Sequence, residues 1–401
     1  MKEILFSERN QLIAYILVIF YAPFIMCKYY LQPLIGDISQ LAFEVLGCDI
    51  KIVPLFFIIF LIFIIFISVK HINMFRIFSA IFIFFIILIG QYISDFYLGN
   101  PIYDIQNNWH YVAYTLFSYL MYRYLSYKKT APVKIIFYTF LAATIISTSD
   151  EFFQLNMTNR VFDLSDIAKD ILGAVIGLIL IFFIIENGKI IHNGWKLRQK
   201  KISEYFKNPL SLLFLELVFA IIFLYFSSIL TERLIRFNSI IISLILFGIF
   251  FIILHLSVYK IVKIFLLTLI ITQLISYGIF CKKNIVYNAH NIIIYKGIPI
   301  PYFDVMFFDN GLFRLVDKKS FFRYVDLIRL KYFTNDILLL GSGETGKGGN
   351  GFAKKEKMQF TVNKEKKKMM QVLILKNRDA VTMYNNLKKQ NKKVVFVIHH
   401  E

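Results

Sequence analysis

Ser149–Gly177, SDEFFQLNMTNRVFDLSDIAKDILGAVIG, decides how this chain is read. It places Asp150, Glu151, Asp163, Asp166, Asp170 and Arg160 between two apolar segments long enough to cross a bilayer. A charged side chain at the bilayer centre costs about 2.5 to 3.5 kcal/mol on insertion scales, so such groups sit at an interface, pair, or face a shared cavity. Composition alone favours the first, a wet external loop with helix caps in which Lys169 is a solvated neighbour. The spacing also admits a paired constellation.

Working outward, the chain is 58% hydrophobic over 401 residues, with 44 Phe and 24 Tyr. A soluble domain does not bury that much, so the composition points to a polytopic membrane protein. Nine apolar runs have spanning length: Gln11 to Tyr30, Ile52 to Val69, Met74 to Ile93, Trp109 to Tyr127, Val133 to Thr148, Ile167 to Ile185, Pro209 to Leu230, Asn238 to Val258 and Ile264 to Phe280. The N-terminal MKEILFSERN leads into the first run without a small-residue cleavage pattern and reads as an uncleaved span.

The formal net charge of +19 lies mainly in loops and in the C-terminal third, which suits cytoplasmic loops and anionic lipid better than nucleic acid. Lys70, His71 and Arg76, then Arg123, Lys128, Lys129 and Lys134, then Lys196, Arg198, Lys200 and Lys201 mark cytoplasmic loops. The acidic or neutral loops between them are external, so the acidic stretch faces out. Nine spans would put the C-terminus outside, whereas Lys282 and Lys283 argue for the cytoplasm, toward which the reading leans. Cys27, Cys48 and Cys281 form no metal or redox spacing.

From Asn284 onward, 21 Lys and Arg face 10 Asp and Glu, net +11, in a pattern of strands and turns. Asn291 to Tyr295 reads as a strand turning at Lys296-Gly297. Phe303 to Phe308 and Leu312 to Val316 flank Asp309-Asn310-Gly311, a hairpin signal. Asp336 to Leu340 is a buried-type strand. Val372 to Leu375, a helix over Arg378 to Gln390 and Val394 to Ile398 form a βαβ unit. That helix presents Ala380, Met383, Tyr384 and Leu387 on one face, with Asn377 placed to cap it. The fold class is therefore an α-helical polytopic membrane bundle followed by a small soluble α/β domain. The expected divisions are a membrane domain over 1–190, a basic linker over 191–208, further spans over 209–283 and the soluble domain over 284–401.

Within the acidic stretch, Asp150, Glu151 and Gln154 share a helix face if the fifth span continues past Thr148, and Asp166, Asp170, Gly173 and Gly177 share one on the sixth. Gly173 and Gly177 form a G-x-x-x-G pair that admits a close neighbour helix. Arg160 is the obvious counter-ion, and His110, at the mouth of the fourth span, is a further partner. Such a set fixes helices, or binds a polar headgroup, a cation or a proton.

Asp150, Glu151, Gln154, Arg160, Asp166, Asp170, Gly173 and Gly177, preceded by His110, Tyr111 and Tyr114, resemble in order and spacing the signature of the VanZ-like family, across roughly Gln11 to Ile185. Phe153 stands where many members have His, Thr158-Asn159 replaces Pro-Gly, and Gln106-Asn107 replaces an acidic-basic pair. The resemblance implies a membrane protein that lowers susceptibility to glycopeptides such as teicoplanin, with membrane lipids and an envelope lipid-linked molecule or the glycopeptide as partners. It implies no cofactor and no settled catalytic group. An intramembrane enzyme on a lipid headgroup, with Glu151 or Asp170 as acid/base and Arg160 on the phosphate, and an ion- or proton-coupled transporter are the alternatives.

Gly341-Ser342-Gly343-Glu344-Thr345-Gly346-Lys347-Gly348 matches two phosphate-loop patterns after an apolar strand, but Gly348-Gly349-Asn350-Gly351 begins no helix and a glycine turn is the better account. The Gly-Ser-Gly turn, Ala380, Tyr384-Asn385, Leu387 and the closing VVFVIHH resemble the small soluble domain family of the adipogenesis-associated protein and a mitochondrial complex I assembly factor. That implies a protein-interaction module. Lys364, Lys366, Lys367 and Lys368 read as solvated loop, and no nucleic-acid partner is expected.

Overall fold

The computed structural model describes residues 7–26, 34, 37, 38, 41–45, 48–52, 55, 73–94, 105–156, 161–192, 194–319, 337–346, 357–363 and 368–400. These fall into two compact units, one within 1–94, 100–228 and 239–255, the other within 229–238 and 256–401.

The first unit is helical: α1 (Glu8–Met26), a two-stranded hairpin of β1 (Ala42–Val45) and β2 (Cys48–Lys51), α2 (Met74–Ser94), α3 (Ile105–Tyr127), α4 (Pro132–Gln154), α5 (Leu164–Ile179), a short α6 (Ile202–Tyr205), α7 (Pro209–Ile229) and most of α8 (Asn238–Leu256). The run Ile52 to Val69 lies almost wholly outside the described residues.

Among the described residues, six helices are long and apolar enough to cross a membrane: α2, α4, α5 with its extension to Ile185, α7, α8 and α9 (Lys260–Phe280), the last in the second unit. Their surroundings differ. Nearly every residue of α5 is buried, so it is the axis on which α2, α3 and α4 pack, with Ile171, Leu172, Val175, Ile176 and Leu178 at the centre of one core. Residues 180–185 continue it as a wider turn. A helix apolar on all sides belongs either in a core or in lipid. In this structure α5 takes the first place, while α9 has no buried residue.

The second unit carries two sheets. β3 (Ile285–Ala289), β4 (Ile292–Tyr295) and β5 (Ile298–Pro301) form an antiparallel meander. β6 (Val305–Phe307), β7 (Phe313–Leu315), β8 (Ile337–Ser342), β9 (Lys357–Asn363), β10 (Lys368–Leu375) and β11 (Val394–His399) form a six-stranded sheet in the order β7-β6-β11-β8-β10-β9. β8 lies parallel to both β10 and β11, and α10 (Asn377–Lys389) crosses from one to the other, so the expected βαβ unit has a strand inserted at its middle. Ala380 and Tyr384 of α10 are buried against Phe307 and Phe396.

Two details of that helix differ from the sequence reading. Met383 is exposed and Val381 takes a place beside Leu387 at the core, because the buried stripe turns slightly around the axis. Asn377 is the first helical residue, not the cap, and its amide bridges two strand ends: Nδ2 donates to the His399 carbonyl at 2.6 Å while Oδ1 accepts from the Gly343 amide at 3.0 Å. The glycine-rich segment is a turn, with Gly343 and Gly346 at positive φ. Its continuation from Lys347, and the side chains of the Lys364 to Lys368 cluster, lie outside the described residues.

Candidate functional site

α4 does run past Thr148, ending at Gln154, so Asp150, Glu151 and Gln154 sit on its last turns, and all three are buried. Asp163 then starts α5, its carboxylate accepting from the Ser165 amide at 2.8 Å. Burial pushes the Asp163 carboxyl above the usual carboxylate range. One turn on come Asp166, Lys169 and Asp170.

The third wall is α3, and glycine decides how near it comes. A Cβ added at Gly173 would lie 3.0 Å from the His110 carbonyl and from Tyr111 Cα, and one added at Gly177 would lie 2.7 Å from Ser118 Cβ and 2.9 Å from the Thr115 carbonyl. Two hydroxyls close the same seam: Thr115 donates to the Gly173 carbonyl at 3.1 Å and Ser118 to the Ala174 carbonyl at 2.9 Å. The G-x-x-x-G pair therefore packs as its spacing indicates, with small and polar residues bringing two apolar helices backbone to backbone.

That approach brings His110 onto α5. His110 Nδ1 lies 2.8 Å from Asp170 Oδ1, and Nε2 lies 3.6 Å from Asp166 Oδ1. Ser147 of α4 donates to Asp170 Oδ2 at 2.6 Å, so one buried carboxylate joins three helices. Lys169 Nζ lies 2.9 Å from Asp166 Oδ1. Gln154 Nε2 donates to Asp150 Oδ2 at 3.0 Å and to Glu151 Oε1 at 3.1 Å, and Glu151 Oε2 accepts from the Asp163 amide at 2.9 Å. Each of these carboxylates has a partner, as burial requires.

The wet-loop reading is thereby set aside for Asp150, Glu151, Gln154 and Asp170, each under a tenth exposed. Lys169 needs the same correction: it is 8% exposed, packed inside the bundle and paired with Asp166. Arg160 lies outside the described residues. Phe153 is exposed and meets Phe20 edge-on at 5.4 Å, so the position where many VanZ-like members carry His points away from this cluster.

Sequence reasoning missed Ser147, which looked like one small polar residue in a span; its place one turn before Asp150 and Glu151 was the available signal. Ser147 donates to Asp170 and not to His110, so these residues form a carboxylate-centred network rather than a serine nucleophile with its base. Among the described residues, no group of three or more His, Cys, Asp or Glu side chains is placed to hold a metal ion.

A second polar cluster, also missed, closes the six-stranded sheet. Asp304 is fully buried, with His399 Nδ1 at 2.5 Å from Oδ2 and the amides of His400 and Lys319 donating at 2.8 and 2.9 Å. Lys318 Nζ donates to the Tyr302 and His400 carbonyls, both at 2.9 Å. Burial pulls the Lys318 ammonium down and pushes the Asp317 carboxyl up. Its bonds tie the last strand to residues 302–319, which makes it a structural clasp.

Comparison with protein-family models, with curated proteins and with solved structures finds no match to this chain.

Proposed function

We propose that this chain is a multi-pass cell-membrane protein whose helical part is VanZ-like, with the His110–Asp170 network as its working site on the external side. In this reading it lowers susceptibility to glycopeptides such as teicoplanin, acting on or binding the polar headgroup of an envelope lipid-linked molecule, and its C-terminal unit recruits a protein partner. The observation that carries the reading is convergence. His110, Asp150, Glu151, Gln154, Asp166 and Asp170, spread over three helices, gather in two polar groups, His110 with Asp166 and Asp170 and Gln154 with Asp150 and Glu151. In these groups Asp150, Glu151, Gln154 and Asp170 are buried, and beside them Gly173 and Gly177 set the helix approach. Buried ionisable groups on a packing face inside membrane-length helices are costly and mark a working site by default.

One observation favours a second reading, a proton- or cation-coupled transporter. Among the described residues of the cluster, Asp150, Glu151, Asp163, Asp166 and Asp170 outnumber His110 and Lys169, a surplus of carboxylates that suits the binding of protons or cations. Teicoplanin susceptibility of a sensitive host expressing the full chain, Asp170→Asn or Glu151→Gln separates the two when paired with ion flux in reconstituted vesicles. Protection that both substitutions abolish, without flux, supports the first reading. Flux that Asp170→Asn abolishes, without protection, supports the second. Unchanged susceptibility with the full chain present in the membrane removes the glycopeptide role.

A further inference from the structure

The inference concerns the β3–β5 meander, and it rests on α9 crossing the membrane as the multi-pass reading has it. At 21 residues, α9 is about 31 Å long, close to the roughly 30 Å of a hydrocarbon core. Lys260 and Lys263 stand at its start, and the exposed Lys282 and Lys283 follow its end. Lys283 Nζ lies 5.7 Å from the Phe280 ring, the posture of an ammonium reaching for the headgroups while its stem stays on apolar surface.

The turn joining β4 to β5 does not stand clear of that helix. The Gly297 carbonyl accepts from Ser276 Oγ at 3.0 Å and from Gln273 Nε2 at 3.2 Å. A Cβ at Gly297 would lie 2.7 Å from the Ser276 carbonyl, and its φ of +81° also demands glycine. Ser276 and Gln273 precede Phe280 by four and seven residues, so the turn meets α9 about 6 to 10 Å below the helix end. In lipid, every backbone polar group must find a partner within the protein. Within this turn, Lys296 N donates to the Asn284 carbonyl, the Gly297 carbonyl takes two donors, and Lys296 Nζ reaches the Gly311 carbonyl at 3.3 Å.

The rest of the meander follows suit. Its inner face, with Ile285, Ile293, Tyr295 and Ile300, fills the core. Its outer face consists of two cross-strand rows, Tyr287–Ile294–Pro299 and Ala289–Ile292–Pro301, without a polar side chain apart from the Tyr287 hydroxyl. A sheet with one wet face alternates apolar and polar residues, and this one does not. Tyr287 is 43% exposed and Ile292 37%. Along β5 the ladder donors to β4 fall to Ile298 and Ile300, so the outward positions are both proline and offer no N–H. Such an edge offers no backbone donor to an added strand, and the Pro301 carbonyl is already taken by the Phe303 amide at 2.7 Å.

We propose that the outer face of this meander is a lipid-contacting surface, seated in the interface of an anionic membrane beside α9, with Lys282 and Lys283 on the headgroups. The test uses the full chain with Cys27, Cys48 and Cys281 changed to Ser, accepted only if its unfolding midpoint matches the parent. Single spin labels are placed by Tyr287→Cys, Ile292→Cys, Ile270→Cys in mid α9 and Arg378→Cys on the exposed start of α10. The protein is reconstituted in vesicles of phosphatidylcholine with phosphatidylglycerol, and collision with oxygen is compared with collision with a water-soluble nickel chelate.

Oxygen should dominate at 270, 287 and 292 and nickel at 378, and Lys282→Glu with Lys283→Glu should lower the oxygen preference at 287. Nickel dominance at 287 and 292 with oxygen dominance at 270 overturns this inference and leaves the membrane reading standing. Nickel dominance at 270 overturns the membrane reading of α9 itself. Exclusion of both reagents at 287 and 292 means that protein covers the face, and indifference to the charge reversals removes the anionic component. Either result refutes the proposal as stated.

Discussion

Replacing Gly177 with Ala isolates the close approach that builds the site. The added methyl would lie 2.7 Å from Ser118 Cβ, 2.9 Å from the Thr115 carbonyl and 3.0 Å from Thr115 Cα. Carbon atoms rest at about 3.5 to 4.0 Å, so α3 and α5 must part by most of an ångström at this level. Overpacking of this kind costs about 1 to 3 kcal/mol, while exchanging Gly for Ala inside a helix returns about 0.5 to 1 kcal/mol. Gly248, mid-way along α8, has nothing within 4 Å of the same methyl and supplies the propensity term alone. Thermal unfolding of the two variants in one detergent should therefore show Gly248→Ala at or above the parent and Gly177→Ala below Gly248→Ala by about 1 to 3 kcal/mol. The effect should reach function, because widening the seam draws His110 away from Asp170 across a contact of only 2.8 Å. Equal stability of the two variants would refute the account of α3 against α5.

Lys169→Met removes the ammonium held 2.9 Å from Asp166 Oδ1, and loss of one partner of this largely buried pair should cost up to about 3 to 5 kcal/mol, read from the same unfolding curves. Asn377→Ala strands the Gly343 amide and the His399 carbonyl at the sheet end, at about 1 to 3 kcal/mol for each buried group left unpaired; Asn377→Asp, which keeps the acceptor, should recover the Gly343 half. Burial holds the His400 imidazole down at about 4 against an ordinary 6.5. A folded value below the unfolded one means that stability is full above about pH 6.5 and is lost as the pH falls from there toward 4, by up to about 3 kcal/mol. His400→Gln should flatten that slope in an acid titration of the second unit's unfolding.

Much of this was legible because periodicity reports on helices directly. The apolar runs outside 52–69 coincide with α1 to α5 and α7 to α9, and Asp309-Asn310-Gly311 does sit between two antiparallel strands. What escaped depended on which helix stands at the centre. Lys169 looks solvated from sequence because a lysine at the start of an apolar helix ordinarily is. Burial of α5 on all sides reverses that, and no local pattern reports it. The inserted strand β8 escaped similarly, since β10–α10–β11 carries the same period whether its strands are neighbours or not. His399 read as the end of a strand, because its partner Asp304 is 95 residues away.

The spacing Asp166, Asp170, Gly173, Gly177 is one device rather than two motifs in tandem. Successive members lie three or four residues apart, so all four occupy one stripe of α5, with carboxylates at the end nearer the chain's turn and glycines further in. The glycines set how closely α3 can approach, and the carboxylates meet whatever α3 presents there. Any larger residue at 173 would press on the backbone of His110 and Tyr111, and His110 is the residue that meets Asp166 and Asp170. Stability and site geometry are thus coupled through a single helix contact. Damage at Gly173 should therefore imitate loss of His110, whereas Phe153, exposed on the outer side of α4, should be replaceable without touching the network.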